Sequence, residues 1–249
     1  MSNLLGMSAA KAAIIAQLKN EIARMQGYKT GNSNELPVPS LDPVLQAFPG
    51  KQFPWAVVHE FLYDGPENAA ATNGFISGLL GTLMEKNGIS IWVGPTQQIF
   101  PPALKNFGIN ADKIIFIKLQ KEKEILWTME EALKCEGLAA VIGDVPGISF
   151  TASRRLQLAV EKSKVTGFLL RQTNNRLVTT AFVCRWKITT APAITIDDLP
   201  GVGFPCWNVQ LEKVKNGKPG NWLIAFQSGS FRSINKLIVV PRRLQTKTG

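Results

Sequence analysis

The sequence predicts an α/β domain built on a mostly parallel central sheet, with a helical arm before it and a β-hairpin after it. Three observations carry this expectation. Short apolar runs alternate with stretches of helical period between residues 55 and 172, the pattern of βαβ units. A glycine-bearing turn joins the first apolar run to the first long helix. From residue 181 the period changes to two, as in strands with one covered face.

In order along the chain, residues 9–25 place Ile14, Leu18, Ile22 and Met25 at helical spacing, and Gly27 ends the run. A short helix must bury such a stripe, and packing on its own domain is the default for a tethered arm. Residues 30–54 are rich in Gly, Asn, Ser and Pro and read as a tether. The domains expected are therefore an arm at 1–29, a linker at 30–54, an α/β domain with its hairpin at 55–240 and a basic tail at 241–249.

Within the domain, residues 55–63 form the first strand and the turn from Asp64 to Glu67 follows it. Residues 72–86 read as a helix, with Phe75, Leu79, Leu80, Leu83 and Met84 inward and Asn87-Gly88 ending it. Strands follow at 90–93, 113–117, 138–144 and 167–170. Between them lie a helical piece at 103–107, an amphipathic helix at 122–134 and a helix to about Lys164 that Thr151 can cap. Phe182, Cys184, Trp186 and Ile188 alternate with charged residues, as do Trp207, Val209 and Leu211 with Asn208, Gln210 and Glu212. The turn Asn216-Gly217-Lys218-Pro219-Gly220 then leads to Trp222, Ile224 and Phe226, which makes a hairpin at the sheet edge.

The 249 residues suffice for one large domain, and 45% hydrophobic residues suffice for its core. The formal charge of +10 favours acidic partners such as nucleic acid but does not by itself select one. Cys135, Cys184 and Cys206 form no CxxC pair, so reduced thiols in the cytoplasm are expected instead of a zinc site or disulfides. No apolar run is long enough to span a bilayer, and Lys11, Lys19 and Glu21 break the apolar core that a secretory signal needs. His59 is the single histidine, which excludes a Ser-His-Asp triad built on a second one and any two-histidine metal site.

The segment Gly65-Pro66-Glu67-Asn68-Ala69-Ala70-Ala71-Thr72 follows the first strand and opens the first helix, where a phosphate loop belongs. A working loop needs Gly-x-x-x-x-Gly-Lys-Thr/Ser: glycines so that amides can curl round phosphates, lysine to neutralise them and a hydroxyl for magnesium. Gly65 and Thr72 fill the first and last positions, whereas Ala70 stands for the second glycine and Ala71 for the lysine. Holding Ala70 in the left-handed region would cost about 1–2 kcal/mol, so the segment is expected to relax to another shape.

The order of these features resembles that of RecA recombinases, which implies a RecA-like, P-loop NTPase-type core. The stretch from Lys105 to Ile115 resembles the segment after the RecA catalytic loop, and counting back from Gly108 puts Thr96, flanked by Gln97 and Gln98, where the family carries its water-activating glutamate. Val141-Ile142-Gly143-Asp144 resembles the Walker B strand with its aspartate kept, and Arg171-Gln172 the strand end that carries a nucleotide-sensing glutamine. The two DNA-binding loops of the recombinases are reduced to residues 146–150 and a turn around residues 173–176. His59-Glu60, the run from Ala152 to Ala159, and Trp207 to Leu211 followed by Asn216 to Trp222 resemble the ImuA family of bacterial mutagenesis cassettes.

That resemblance implies an SOS-linked accessory role in translesion synthesis, beside an ImuB-like relative of Y-family polymerases and an error-prone replicative-type polymerase, with RecA and DNA as further candidate partners. Asp144 and Gln172 are then relics, no residue is catalytic, no metal is held and no cofactor is required. A weak, non-standard ATPase using Asp144 and Gln172 with ATP and magnesium is one alternative, and a SulA-type cell-division inhibitor is the other. Ile14, Leu18, Ile22 and Met25 form the candidate partner-binding arm. Arg154, Arg155, Arg171 and Arg176 are candidate nucleic-acid contacts, weighed against a solvated basic face. Lys213, Lys215 and Lys218 near Trp207 and Trp222 would suit stacking on single strands, although tryptophans at period two are more often core.

Overall fold

The computed structural model describes residues 41–234 apart from 86–87, 97–98, 174–177 and 195–202, together with Val38, Lys11, Ile14, Ile15, Gln17 and Leu18. Nine strands among these form one sheet: β1 (Val58–Tyr63), β2 (Ile89–Gly94), β3 (Ile114–Lys118), β4 (Leu138–Asp144), β5 (Thr166–Gln172), β6 (Cys184–Ile194), β7 (Phe204–Val214), β8 (Gly220–Gln227) and β9 (Ser230–Ser233). Their spatial order is β3-β2-β4-β5-β1-β6-β7-β8-β9. Pairings from β3 through β6 are parallel, and β6 through β9 are antiparallel. The mixed sheet with a mostly parallel core is the architecture that the alternating pattern predicts.

Among the residues from 41 onwards that are described, four α-helices accompany it: α1 (Asp42–Leu45), α2 (Gly65–Met84), α3 (Glu122–Leu133) and α4 (Phe150–Ser163). The sheet separates two cores. Phe75, Ile76, Leu79 and Leu80 of α2 pack with Phe61, Ile142, Phe168 and Trp186 on one side. Ile125, Met129 and Leu133 of α3 join Leu156 and Val160 of α4 over Val58, Val141 and Leu169 on the other. Because helices cover both faces here, β1 is buried at every position, including His59 and Glu60. None of the described helices is long and apolar enough to cross a membrane.

Several boundaries differ from the sequence reading, each for a physical reason. The tether expected at 30–54 is part of the core where it is described, at Val38 and from Leu41 onwards: Val38, Leu41, Val44, Ala47, Phe48 and Phe53 are buried. Phe53 stacks on His59 with ring centroids 4.9 Å apart, and the carbonyl of Ala47 accepts from the Lys218 amide at 2.8 Å. Prolines and glycines that suggest a linker serve here as turn formers between apolar anchors. Helix α4 is capped by Ser149, whose hydroxyl accepts from the Ala152 amide at 3.1 Å, and not by Thr151, which already lies within the helix. The expected hairpin is part of a larger antiparallel unit. Its last strand, β9, holds a single apolar residue, Phe231, too little for period two to register.

Packing on its own domain, expected for the arm, does not occur for its described residues. Ile14 and Leu18 are helical and stand 57% and 50% exposed. Ile22 and Met25 lie outside the described residues, as does the tail at 241–249.

Candidate functional site

The parallel strands end along one edge of the sheet, the edge where open α/β folds bind ligands. Asp64 alone separates β1 from α2. Gly65 takes a φ of +69° with open space where a side chain would stand, a conformation that suits glycine. Pro66 follows in the first helical turn, where its missing N–H has no intrahelical partner to lose. Residues 65–72, expected as a loop, are therefore the first two turns of a helix. Three successive alanines, Ala69, Ala70 and Ala71, favour that outcome, since alanine is the strongest helix former.

Helix formation consumes the groups a phosphate loop would offer. The Thr72 hydroxyl donates to the Asn68 carbonyl at 2.7 Å and is fully buried, turned onto its own helix. Asn68 donates to Asp64 at 2.5 Å, and Lys187 donates to the other Asp64 oxygen at 3.1 Å. The Asn68 bond first, with Lys187 beside it, holds the Asp64 carboxyl below the usual carboxylate range. The cleft next to this helix start, of about 470 Å³, is lined by Tyr63, Gly65, Pro66, Ala69, Asn73 and Gln172 along with Ala70. Among the described residues, its lining contains no lysine or arginine.

Asp144 and Gln172 end β4 and β5 and flank this edge. Gln172 is exposed and lines the cleft, whereas Asp144 is buried and accepts a hydrogen bond from the Tyr63 hydroxyl at 3.2 Å. Burial pushes the Asp144 carboxyl above its usual range, with the Tyr63 bond opposing. Thr96 is exposed two residues past β2, in the chain leaving Gly94, which runs close beside Asp144. The fold thus gathers Gly65, Thr96, Asp144 and Gln172 at one edge. A triphosphate held in the phosphate-loop manner does not fit this set: the amide-lined loop is a helix, the hydroxyl is spent, and no cation among the described residues lines the cleft.

The basic candidates separate. Arg171 is buried and serves the interior: its Nε and Nη2 donate to one Glu60 oxygen at 3.3 and 2.9 Å. Arg185 Nε and the Thr180 hydroxyl donate to the other oxygen at 2.7 and 2.9 Å. Arg171 is therefore not a nucleic-acid contact. The signal was present in the sequence, since a glutamate inside an apolar strand must find buried cationic partners. Arg155 is exposed and pairs with Glu130 of α3, Arg154 is exposed, and Arg176 lies outside the described residues. Lys213 donates to the Thr180 carbonyl at 2.8 Å, and burial first, then Arg185, lowers its pKa.

The remaining candidates are structural. Trp207 is buried against Gly74 and Phe75 and offers no stacking face, and Trp222 is half-buried against the same core. His59 is buried between the Pro54 carbonyl at 2.9 Å and the Trp186 indole N–H at 3.2 Å, which puts its proton on Nε2. Burial lowers its pKa to about 3 and keeps the ring neutral. Burial raises the Cys184 and Cys206 thiols, away from nucleophilic use. No group of His, Cys, Asp or Glu among the described residues could hold a metal ion.

No family model matches the chain. It is similar to the protein ImuA of Caulobacter vibrioides, 33% identical over 216 residues that cover 80% of this chain and 87% of that relative. It is also similar to the cell division inhibitor SulA of Yersinia pestis, 25% identical over 122 residues, covering 49% of this chain and 71% of the inhibitor. Among solved structures, a crystal structure of the RadB recombinase superposes with a TM-score of 0.56 at 13% identity, over 81% of this chain and 99% of the recombinase. The fold is RecA-like.

Proposed function

This chain belongs to the ImuA family, and from that premise we propose that it is a non-catalytic, RecA-like accessory protein of error-prone DNA repair. In this reading it is an adaptor for a Y-family-like polymerase relative in SOS-linked translesion synthesis, and the RecA-type nucleotide site is a relic. The observation that carries the loss of catalysis is the helix at residues 65–72. It removes the amide cradle that phosphoryl transfer depends on, while Asp144 is engaged by Tyr63 instead of facing the cleft. Without a cradle, positioning and charge neutralisation of the γ-phosphate have no source among the gathered residues.

The arm is the proposed partner surface. Ile14 and Leu18 are exposed on a helix, and an amphipathic helix of this kind gains most of its order from a groove on another protein. Co-purification of the full chain with the ImuB-like partner, compared with a chain lacking residues 1–27, tests this. Loss of the partner on truncation is expected, and unchanged binding removes the arm from the interface. Purified protein is expected not to turn over ATP. Turnover that disappears in Asp144→Ala would establish the weak-ATPase alternative.

A second reading is favoured by the similarity to the SulA inhibitors, which spans 71% of the inhibitor's length. In that reading the same eroded core binds the tubulin-like division protein. Direct binding of that protein, with no retention of the polymerase relative, would select it over the adaptor.

A further inference from the structure

We infer that the tail after β9 folds back on its own chain and seats Leu237, Ile238, Val239 and Val240 in an apolar pocket beside the start of α2, with Arg242 and Arg243 at its acidic mouth. The pocket, an open cleft of about 420 Å³, lies between α2, the 3₁₀ helix Pro101–Phe107 and the facing ends of β6 and β7. Phe100, Phe107, Cys206 and Trp207 wall it, and Ala70 and Ala71 are part of the wall that α2 contributes. These are the alanines that stand where a phosphate loop carries glycine and lysine, so the exchange that removes a cation from this edge also lines a pocket with methyl groups. Phe100 stands 69% exposed. An apolar concavity with an exposed aromatic edge has the make-up of a docking site.

Chemistry and reach identify the occupant. The segment after Ile234 lies outside the described residues, and it carries four successive aliphatic residues, Leu237 to Val240, then Pro241, Arg242 and Arg243. No acid occurs after Glu212. Glu67 is the one charged residue among the described residues that line the pocket; it is exposed and forms no ion pair among them. Apolar walls with one unpaired carboxylate complement an aliphatic run that ends in arginine. The Ile234 amide donates to the Leu223 carbonyl at 2.9 Å, and Leu223 pairs with Asn208, the neighbour of Trp207. Ile234 therefore stands two strands from the pocket wall, about 10 Å at the usual strand spacing. An extended chain covers about 10 Å from Ile234 to Leu237 and about 20 Å to Val240. Beyond Leu223 towards its start, β8 offers Gly220, Asn221 and Trp222, too few residues to pair the whole aliphatic run as a continuation of β9.

Two measurements on the full chain test this together. Tryptic cleavage after Arg242 and Arg243 in the native wild type is expected to be about tenfold slower than in Ala70→Arg, which puts bulk and a like charge into the pocket at an exposed helical position. Glu67→Lys should speed the same cleavage about threefold, the scale of one exposed ion pair. Native Cys206 in the pocket wall then locates the tail. In a chain carrying Val240→Cys, with Cys135→Ser to remove the exposed thiol, mild oxidation should join position 240 to Cys206 within one chain, read by mass and peptide mapping. Ala70→Arg should lower that yield about tenfold while far-UV circular dichroism stays unchanged. Equal cleavage of wild type and Ala70→Arg overturns the inference. So does a protected tail that forms no such disulfide, and so does a disulfide that joins two chains, which would make a second copy the occupant. The inference takes the nucleotide edge as a relic; ATP turnover, measured separately, tests that premise without bearing on where the tail lies.

Discussion

Glu60 shows how much a single charged residue demands of its surroundings. It sits fully buried in β1, and Arg171, Arg185 and Thr180 are arranged around its two oxygens. Removing one partner of such a cluster leaves an uncompensated buried charge, which costs about 3–5 kcal/mol. Arg171→Met is therefore expected to lower urea stability by roughly that amount, whereas Arg154→Ala, at an exposed position, should stay within about 0.5 kcal/mol. His59 sets a pH dependence of its own. Its folded pKa of about 3 lies below the unfolded value of 6.5, so its contribution is present above pH 6.5 and is lost as pH falls toward 3. Urea midpoints should show about 2–3 kcal/mol lost from this source by pH 4.5, a loss that His59→Gln escapes. Asp144 acts in the opposite sense, since burial favours its protonated form and falling pH relieves it. Comparing wild type with His59→Gln at each pH isolates the histidine from that background.

At the scale of elements, the start of α2 decides more than any other boundary. A run of alanines where a glycine and a lysine would stand converts two turns of loop into helix, and the chemistry of the edge changes with it. The expected outcome for α4 is equally specific. Ser149→Ala removes the cap on the Ala152 amide and should cost about 1 kcal/mol in chemical denaturation. Thr151→Ala, one residue inside the helix, should be close to neutral. Glycines in α2 answer to packing and not to helix propensity: a methyl on Gly78 would stand 2.5 Å from the Phe231 ring, so the short strand β9 lies where only glycine lets it approach.

For the whole molecule, the segment before β1 belongs to the core. Val38, Leu41, Val44, Phe48 and Phe53 are buried beneath the antiparallel half of the sheet, and burying each such side chain is worth about 1.5–3 kcal/mol. Removing residues 1–54 is therefore expected to unfold the domain or to lower its melting temperature sharply, while removing residues 1–37 leaves those anchors in place. Thermal melts of the two truncations, followed by circular dichroism, check this. Equal melting temperatures would mean that the segment contributes nothing to stability.

The sequence by itself determined the order of strands and helices, the parallel core, the switch to antiparallel pairing and the residues brought to the ligand edge. Those properties follow from local periodicity and from the right-handed crossover, which leave few ways to lay out alternating elements. The identities of Ala70 and Ala71 already announced that a phosphate cradle was compromised. Only the tertiary structure decided that Tyr63 holds Asp144, that Arg171 faces inward to Glu60, and that Val38, Leu41, Val44, Phe48 and Phe53 are core and not tether. Each of these depends on a partner 81 or more positions away, as with Tyr63 and Asp144 or Glu60 and Arg171, or on cover from a distant turn, as with Ala47 and Lys218. Periodicity reports which face of an element is apolar, but not which charged group from another strand will be waiting there.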